Sequence, residues 1–358
     1  MAITSLTVTL AQAANLIRTC GSTNTLILRG QPGIGKSDLL KTLARALPDY
    51  FVGYVDVANL DLGDLGMPVI DRERMVTHYA PNARFGISPD QTRPVLLMLD
   101  ELGKASRPVL NMLLPVILEH RIGDIPLPVG SIVFATTNLD TDGVGDNIPA
   151  HAYNRMTELK VMNPTADEWL QWAGANDVAP EIMAFAKQTP EVFDCYAYMD
   201  RSDKNPYIFN PLTGNTRTFC SPRSLAKASH IVSQRDVLGD AMLPALAGTI
   251  GEPAARQMEA LINLADQLPL FDTIVAHPDT TEVPTSVGAL FILAFMLAGR
   301  CNVDNIDAVM TYVARVSKVS FEAHAVFVST LASNSSKVGM ACRCRAFTVE
   351  AAKLGKYF

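Results

Sequence analysis

Two stretches of the chain are apolar without interruption, Val95-Leu96-Leu97-Met98-Leu99 and Ile132-Val133-Phe134-Ala135. Strands of this kind are buried on both faces, as in the middle of a parallel sheet, whereas a half-exposed strand alternates. Thr25 to Arg29, Phe51 to Val57 and Leu159 to Val161 are further β-prone runs. Apolar residues recur at helical spacing between them. Thr9 to Thr19 carries Leu10, Ala13, Ala14 and Ile17 on one face. Asp38 to Leu47 carries Leu39, Leu40, Leu43 and Leu47, and Ala105 to His120 carries Val109, Leu110, Leu113, Leu114 and Ile117. Strands alternating with helices predict an α/β unit with a parallel sheet flanked by helices. Leu60 to Asp71 reads as a glycine- and acid-rich loop, with a short strand over Met75 to His78. Asn82 to Pro94 is irregular and suited to facing a partner. Gly123 to Gly130 reads as a tight hairpin, Thr141 to Ile148 as a Gly/Asp loop, and Pro149 to Arg155 as a short helix.

From Asn163 the pattern turns helical, so a domain boundary is expected near residue 162. Thr165 is placed to cap a helix, with Glu168 completing a capping box. Ser202 to Phe219, rich in Asn, Pro, Gly and Tyr, reads as a long loop. Ser221 and Pro222 then open a helix as N-cap and first residue. Leu238 to Leu270, Ser286 to Leu297, Val303 to Val319 and Phe321 to Leu331 read as further apolar helices. No internal repeat, heptad array or low-complexity tract is visible.

Chemistry enters at Gly30-Gln31-Pro32-Gly33-Ile34-Gly35-Lys36-Ser37, which fits the phosphate-binding pattern G-x-x-x-x-G-K-[ST] between a strand and a helix. Glycines bring backbone N–H groups close to phosphate oxygens, and the first turn of the next helix adds its own N–H groups and dipole. Lys36 can reach the β- and γ-phosphates and Ser37 can ligate Mg²⁺. The Val95–Leu99 strand ends in Asp100-Glu101. Carboxylates there emerge where open α/β sheets bind ligands, so Asp100 is expected to hold Mg²⁺ through its water shell and Glu101 to polarise the attacking water. Asn138 ends the other buried strand; its amide either meets the γ-phosphate or the lytic water, or simply turns the chain.

Composition narrows the class. The 358 residues, 48% hydrophobic and 18% charged, suit a globular chain of two or three domains. A net charge of −6 argues against a protein wrapped on nucleic acid, which needs clustered Lys and Arg. Six cysteines show no paired metal spacing beyond Cys342-Arg343-Cys344, which favours reduced thiols in the cytosol. No secretion signal is expected at the N-terminus. The most apolar run, Val287 to Gly299, is shorter than the ~20 residues of a membrane span and reads as a core helix.

Taken together, these stretches resemble an AAA+ ATPase, within it the MoxR-like, dynein-related branch of bacteria and their phages. The resemblance is carried by TLILRGQPGIGKS, LDLGDLGMP, THYAPNARF, PVLLMLDEL, EHRIGDIPLPVGSIVFATTN, a short helix ending NRM, and SPRSLAKAS. It runs from about residue 10 to about residue 230. It implies an AAA+ α/β nucleotide-binding domain over 1–162, a helical lid over 163–240 and a C-terminal helical region over 241–358. Gly30 to Ser37 become Walker A, Asp100 and Glu101 Walker B, and Asn138 sensor 1. Arg155 becomes an arginine finger acting on the neighbouring subunit's nucleotide, and Arg223 sensor 2 on the lid. Met156 stands where the family often has Phe. The cofactors implied are ATP and Mg²⁺, although the motif itself does not choose between ATP and GTP.

The leading expectation is therefore an ATP-hydrolysing ring, a hexamer, that remodels a protein client in the cytoplasm of a bacterium or a phage-infected host. A partner with a von Willebrand A domain is implied by the resemblance alone. A nucleic-acid motor or loader, and a nucleotide-gated structural subunit of low turnover, are the alternatives. Acidic balance counts against the first and an intact Asp100-Glu101 pair against the second.

Overall fold

The computed structural model describes residues 6–87, 91–123, 125–139, 148–198, 205–211 and 217–355, without the side chains of His151 and Tyr198. It divides into two compact units, Met1–Asn163 and Pro164–Phe358. Among the described residues the first unit holds β1 (Thr7–Val8), α1 (Leu10–Cys20), β2 (Leu26–Arg29), α2 (Leu39–Ala46), β3 (Phe51–Asp56), β4 (Gly66–Asp71), β5 (Val76–Pro81) and β6 (Val95–Asp100). These are followed by α3 (Arg107–Glu119), β7 (Arg121–Ile122), β8 (Ile125–Pro126), β9 (Ile132–Thr137), α4 (Ala150–Tyr153) and β10 (Thr157–Val161).

The main sheet runs β1-β10-β2-β9-β6-β3, with every neighbouring pair parallel. β9 separates β2 from β6, pairing Phe134 with Leu26 on one side and Ile132 with Leu96 on the other. The uninterrupted apolar runs follow from this position, because each faces a helical layer on both sides. Leu26, Leu28, Leu96, Met98, Ile132 and Phe134 pack with Ala13 and Ile17 of α1 and Leu39, Leu40 and Leu43 of α2. Ile27, Leu97, Leu99, Val133 and Ala135 face the other way, onto Val109, Leu110, Leu113 and Ile117 of α3. The fold is the expected one, an α/β P-loop core with a parallel sheet between helices, followed by an all-α region.

Two local expectations need correction. Leu60 to Asp71 is not all loop: after a capped turn at Leu62–Asp64, Gly66–Asp71 forms β4, paired antiparallel with β5, which runs on to Pro81. The Asp71 carboxylate accepts from the N–H groups of Glu73 and Arg74 and closes the turn. Neither strand alternates, and both present apolar side chains to solvent, among them Met67, Ile70 and Tyr79. Periodicity therefore carried no signal. The expected hairpin at Gly123 to Gly130 is shifted, with Arg121–Ile122 pairing Ile125–Pro126. Asp124, the greater part of the Thr141 to Ile148 loop and much of Ser202 to Phe219 lie outside the described residues.

The second unit contains α5 (Ala166–Ala175), α6 (Pro180–Gln188), α7 (Pro222–Val232), α8 (Arg235–Leu238), α9 (Met242–Ile250), α10 (Glu252–Ala265), α11 (Phe271–Ala276) and α12 (Val287–Arg300). It closes with α13 (Ile306–Val319), α14 (Phe321–Ser333), α15 (Val338–Ala341) and α16 (Arg345–Leu354). Thr165 caps α5 with Glu168 in a full capping box, and Ser221 caps α7 with Pro222 in its first turn. The apolar stretch Leu238 to Leu270 is split at Gly251 into α9 and α10. α12 is the buried axis, with Leu290, Phe291, Leu293, Phe295 and Leu297 inside one core that also takes in α5, α14 and α16. No helix among the described residues is long and apolar enough to cross a membrane. None of the six cysteines, all of them among the described residues, is in a disulfide.

Candidate active site

The C-terminal ends of β2, β6 and β9 converge on the glycine loop. Gly35 has φ +109°, a conformation L side chains rarely adopt. At Gly30 a Cβ would stand 2.9 Å from the Val161 carbonyl oxygen, so the loop's first residue is held close against β10. Helical bonding starts in the loop's last turn, where the Leu39 N–H donates to the Gly35 carbonyl, and α2 continues from there. Lys36 is only 7% exposed. Its ammonium donates to the carbonyl oxygens of Gly30 at 2.5 Å and Gln31 at 2.8 Å, and to Oδ1 of Asn138 at 3.3 Å. The Gln31 side chain folds back onto Asn163, whose Nδ2 donates to its Oε1 at 2.7 Å.

Asp100 ends β6 buried to 8% exposure and collects three hydroxyls. Ser37 Oγ and Tyr54 OH each donate to Oδ2 at 3.0 Å, and Thr136 Oγ1 donates to Oδ1. Burial, and after it the Asp100 carboxylate, pushes the Tyr54 phenol up to about 12, so it remains a donor across the neutral range. Glu101 turns sharply out of the strand with φ 56° and ψ 40°. This left-handed conformation is costly for a residue with a Cβ, on the order of 1–3 kcal/mol, and clusters at functional sites. Its N–H donates to Thr136 Oγ1 at 3.1 Å, and its carboxylate accepts from Lys104 Nζ at 2.6 Å.

The structure thus brings Lys36, Ser37, Asp100, Glu101 and Asn138 to one edge of the sheet. Gly30, Gln31, Pro32, Gly33, Ile34 and Gly35 form the loop between them. Arg155 lies exposed just after α4 in the same unit, with Met156 packed inward against the α3 face of the core. Arg223 lies exposed in the first turn of α7, in the second unit. Sequence reasoning passed over Tyr54, Thr136, Lys104 and Arg29. Tyr54 and Thr136 sit in strand patterns and only the register brings them to Asp100. Arg29 did carry a signal, a charge closing an otherwise apolar strand.

The donors beside the phosphate loop suit a small hard cation. A serine hydroxyl and a carboxylate oxygen 3.0 Å apart are the oxygen ligands that Mg²⁺ takes alongside substrate phosphates.

Strand order, glycine loop and strand-end carboxylate together define a P-loop α/β nucleotide-binding fold. Neither a protein-family model nor a curated protein sequence matches the chain. Among solved structures, it is similar to the RuvB Holliday junction branch migration motor of Thermotoga maritima, with 16% identity over 88% of this chain and 85% of that one, at a TM-score of 0.36. NtrX from Brucella abortus in complex with ADP is similar over 99% of this chain and 69% of its own, with 14% identity and a TM-score of 0.34. Overlaps this loose carry no argument about activity or partners, which rests instead on the residues themselves.

Proposed function

We propose that the protein is an ATP-hydrolysing AAA+ ATPase of the MoxR-like kind, working as a ring that remodels a protein partner. One observation carries the nucleotide reading: Lys36, Ser37, Asp100 and Asn138 meet within hydrogen-bonding distance across three strands far apart in sequence. The loop's backbone and Lys36 hold the β- and γ-phosphates of the substrate. Ser37 and Asp100 would hold Mg²⁺, the latter through water, and that cation neutralises phosphate charge when bound. Glu101, projected off the strand by its left-handed turn, accepts a proton from the attacking water. Asn138 orients that water or the γ-phosphate.

Arg155, exposed beyond α4, is the finger that supplies positive charge to a neighbouring subunit's nucleotide, and Arg223 is sensor 2 on a helical lid over residues 163–240. The ring reading rests on this division, since an exposed finger completes a site only when subunits adjoin. ATP is the substrate favoured by the family resemblance.

The test is a set of variants of the full chain. Lys36→Ala should abolish binding of a fluorescent ATP analogue, and unchanged affinity would overturn the site. Glu101→Gln should bind ATP normally and turn over at least about 100-fold more slowly; wild-type turnover would remove Glu101 from the base role. Light scattering of that ATP-loaded variant reads the subunit number, and a monomer at every concentration would overturn the ring.

A further inference from the structure

Arg29 closes β2, one residue before the glycine loop, and is 7% exposed. Among the described residues its guanidinium meets three elements at once. Nε donates to the Glu158 carboxylate on β10, Nη2 donates to the Tyr153 hydroxyl at the end of α4, and Nη1 donates to the Asn138 backbone carbonyl at 3.3 Å. The guanidinium carbon lies 5.5 Å from the centre of the Tyr153 ring. Tyr153 and Glu158 are the two ends of a six-residue segment, Tyr153-Asn154-Arg155-Met156-Thr157-Glu158. One side chain therefore grips both ends of the segment that carries Arg155. Through Asn138 the same side chain touches the residue that accepts from Lys36.

We propose that Arg29 is a positioning residue that couples Asn138, at the γ-phosphate end of the nucleotide site, to the placement of Arg155. The inference rests on the finger reading of Arg155 given above. Both contacts at Asn138, from Lys36 Nζ to its Oδ1 and from Arg29 Nη1 to its carbonyl, measure 3.3 Å, at the long limit for N–H···O bonds. They are the weak joints of the chain, and the joints that a phosphate drawing on Lys36 and Asn138 would change. Its Nε and Nη2 reach a carboxylate and a phenol. A guanidinium is a rigid planar fork, so tilting one arm tilts the others, and the segment carrying Arg155 moves as one piece. A lysine offers a point charge on a flexible stem and can satisfy Glu158 without transmitting anything. A bond serving only to fix strand register would need Glu158 alone.

The experiment is a double-mutant cycle in the assembled full-length protein, comparing Arg29→Lys, Arg155→Ala and the pair. Nucleotide affinity, KM, kcat and the thermal midpoint are measured for each. Arg29→Lys is expected to bind nucleotide within about twofold of the parent and to lose about tenfold or more in kcat, as small misplacements of a catalytic group do. In the Arg155→Ala background it should lose nothing further. Multiplicative losses, or a loss confined to KM and affinity, would overturn the coupling. If Arg155→Ala lowers kcat and Arg29→Lys leaves it unchanged, the coupling fails and the finger reading survives. If Arg155→Ala itself leaves kcat unchanged, the finger reading fails and the proposal goes with it. Should Arg29→Lys not fold, Tyr153→Phe takes its place in the same cycle, since it keeps the ring and removes only the hydroxyl that accepts from Arg29.

Discussion

At Asp100 the unit of function is a carboxylate and its donors. Two of the three hydroxyls come from the glycine loop and from β9, but Tyr54 comes from β3, on the far side of β6. It braces the carboxylate from the edge of the sheet while Ser37 approaches from the loop. With its phenol pushed up to about 12, Tyr54 neither ionises nor repels Asp100 at any pH the protein meets. Tyr54→Phe removes one donor and leaves the ring in place. The Mg²⁺ concentration for half-maximal nucleotide binding should rise about three- to tenfold, the net worth of one ordinary hydrogen bond. A magnesium titration that overlays the parent would show Tyr54 to be packing only.

At the scale of elements, the strands that carry the site are also the ones buried most deeply. Leu97 on β6 has no exposure and lies 3.0 Å from where a Cβ on Gly53 of the neighbouring strand would stand. Leu97→Ala opens a void that the sheet, flanked by helices on both faces, cannot close. It should cost about 2–5 kcal/mol in urea unfolding, and a loss below 1 kcal/mol would mean the layers collapse onto the gap. The same two-sided burial made β6 and β9 legible from residues alone, because no surface strand is apolar at every position. The glycine loop was legible for a different reason, since its chemistry is written in consecutive residues. β4 was not legible, and β5 only in its first residues, because their apolar side chains face water and obey no period. The polar supports were hidden more deeply. Tyr54 and Asp100 are 46 residues apart, and Arg29 and Glu158 are 129 apart. Only the strand order, which sets β3 beside β6 and β10 beside β2, decides that they meet.

For the molecule as a whole, two histidines, His324 buried and His120 half-buried, set an acid limit. Burial lowers the pKa of His120, which sits at the end of α3 against Thr25, and of His324 on α14, where Glu350 opposes burial without overcoming it. A histidine whose folded pKa is depressed stays neutral in the native state and takes up a proton in the unfolded chain first. Stability is therefore complete above the ordinary value of 6.5 and declines as pH falls below it. Urea midpoints should be level between pH 8 and 7 and drop from pH 6.5 to 5, with the drop reduced in His324→Gln. A midpoint rising toward pH 5 would contradict this assignment.

The position of β9 also has a consequence in time. β2 and β6 carry Lys36's loop and Asp100, yet they never pair with each other; β9 lies between them and ends at Thr137. A chain growing from the ribosome completes the phosphate loop early and the acidic strand end some 60 residues later, on the difference between 36 and 100. It cannot join them until β9 has been made. Until then both strands expose apolar edges with no native neighbour between them, the condition in which slow, non-local sheets are most open to mispairing. The proposed nucleotide site is thus whole only once β9 has arrived, later than either of the strands it joins, and the interval before that is when the nascent unit is most open to wrong partners.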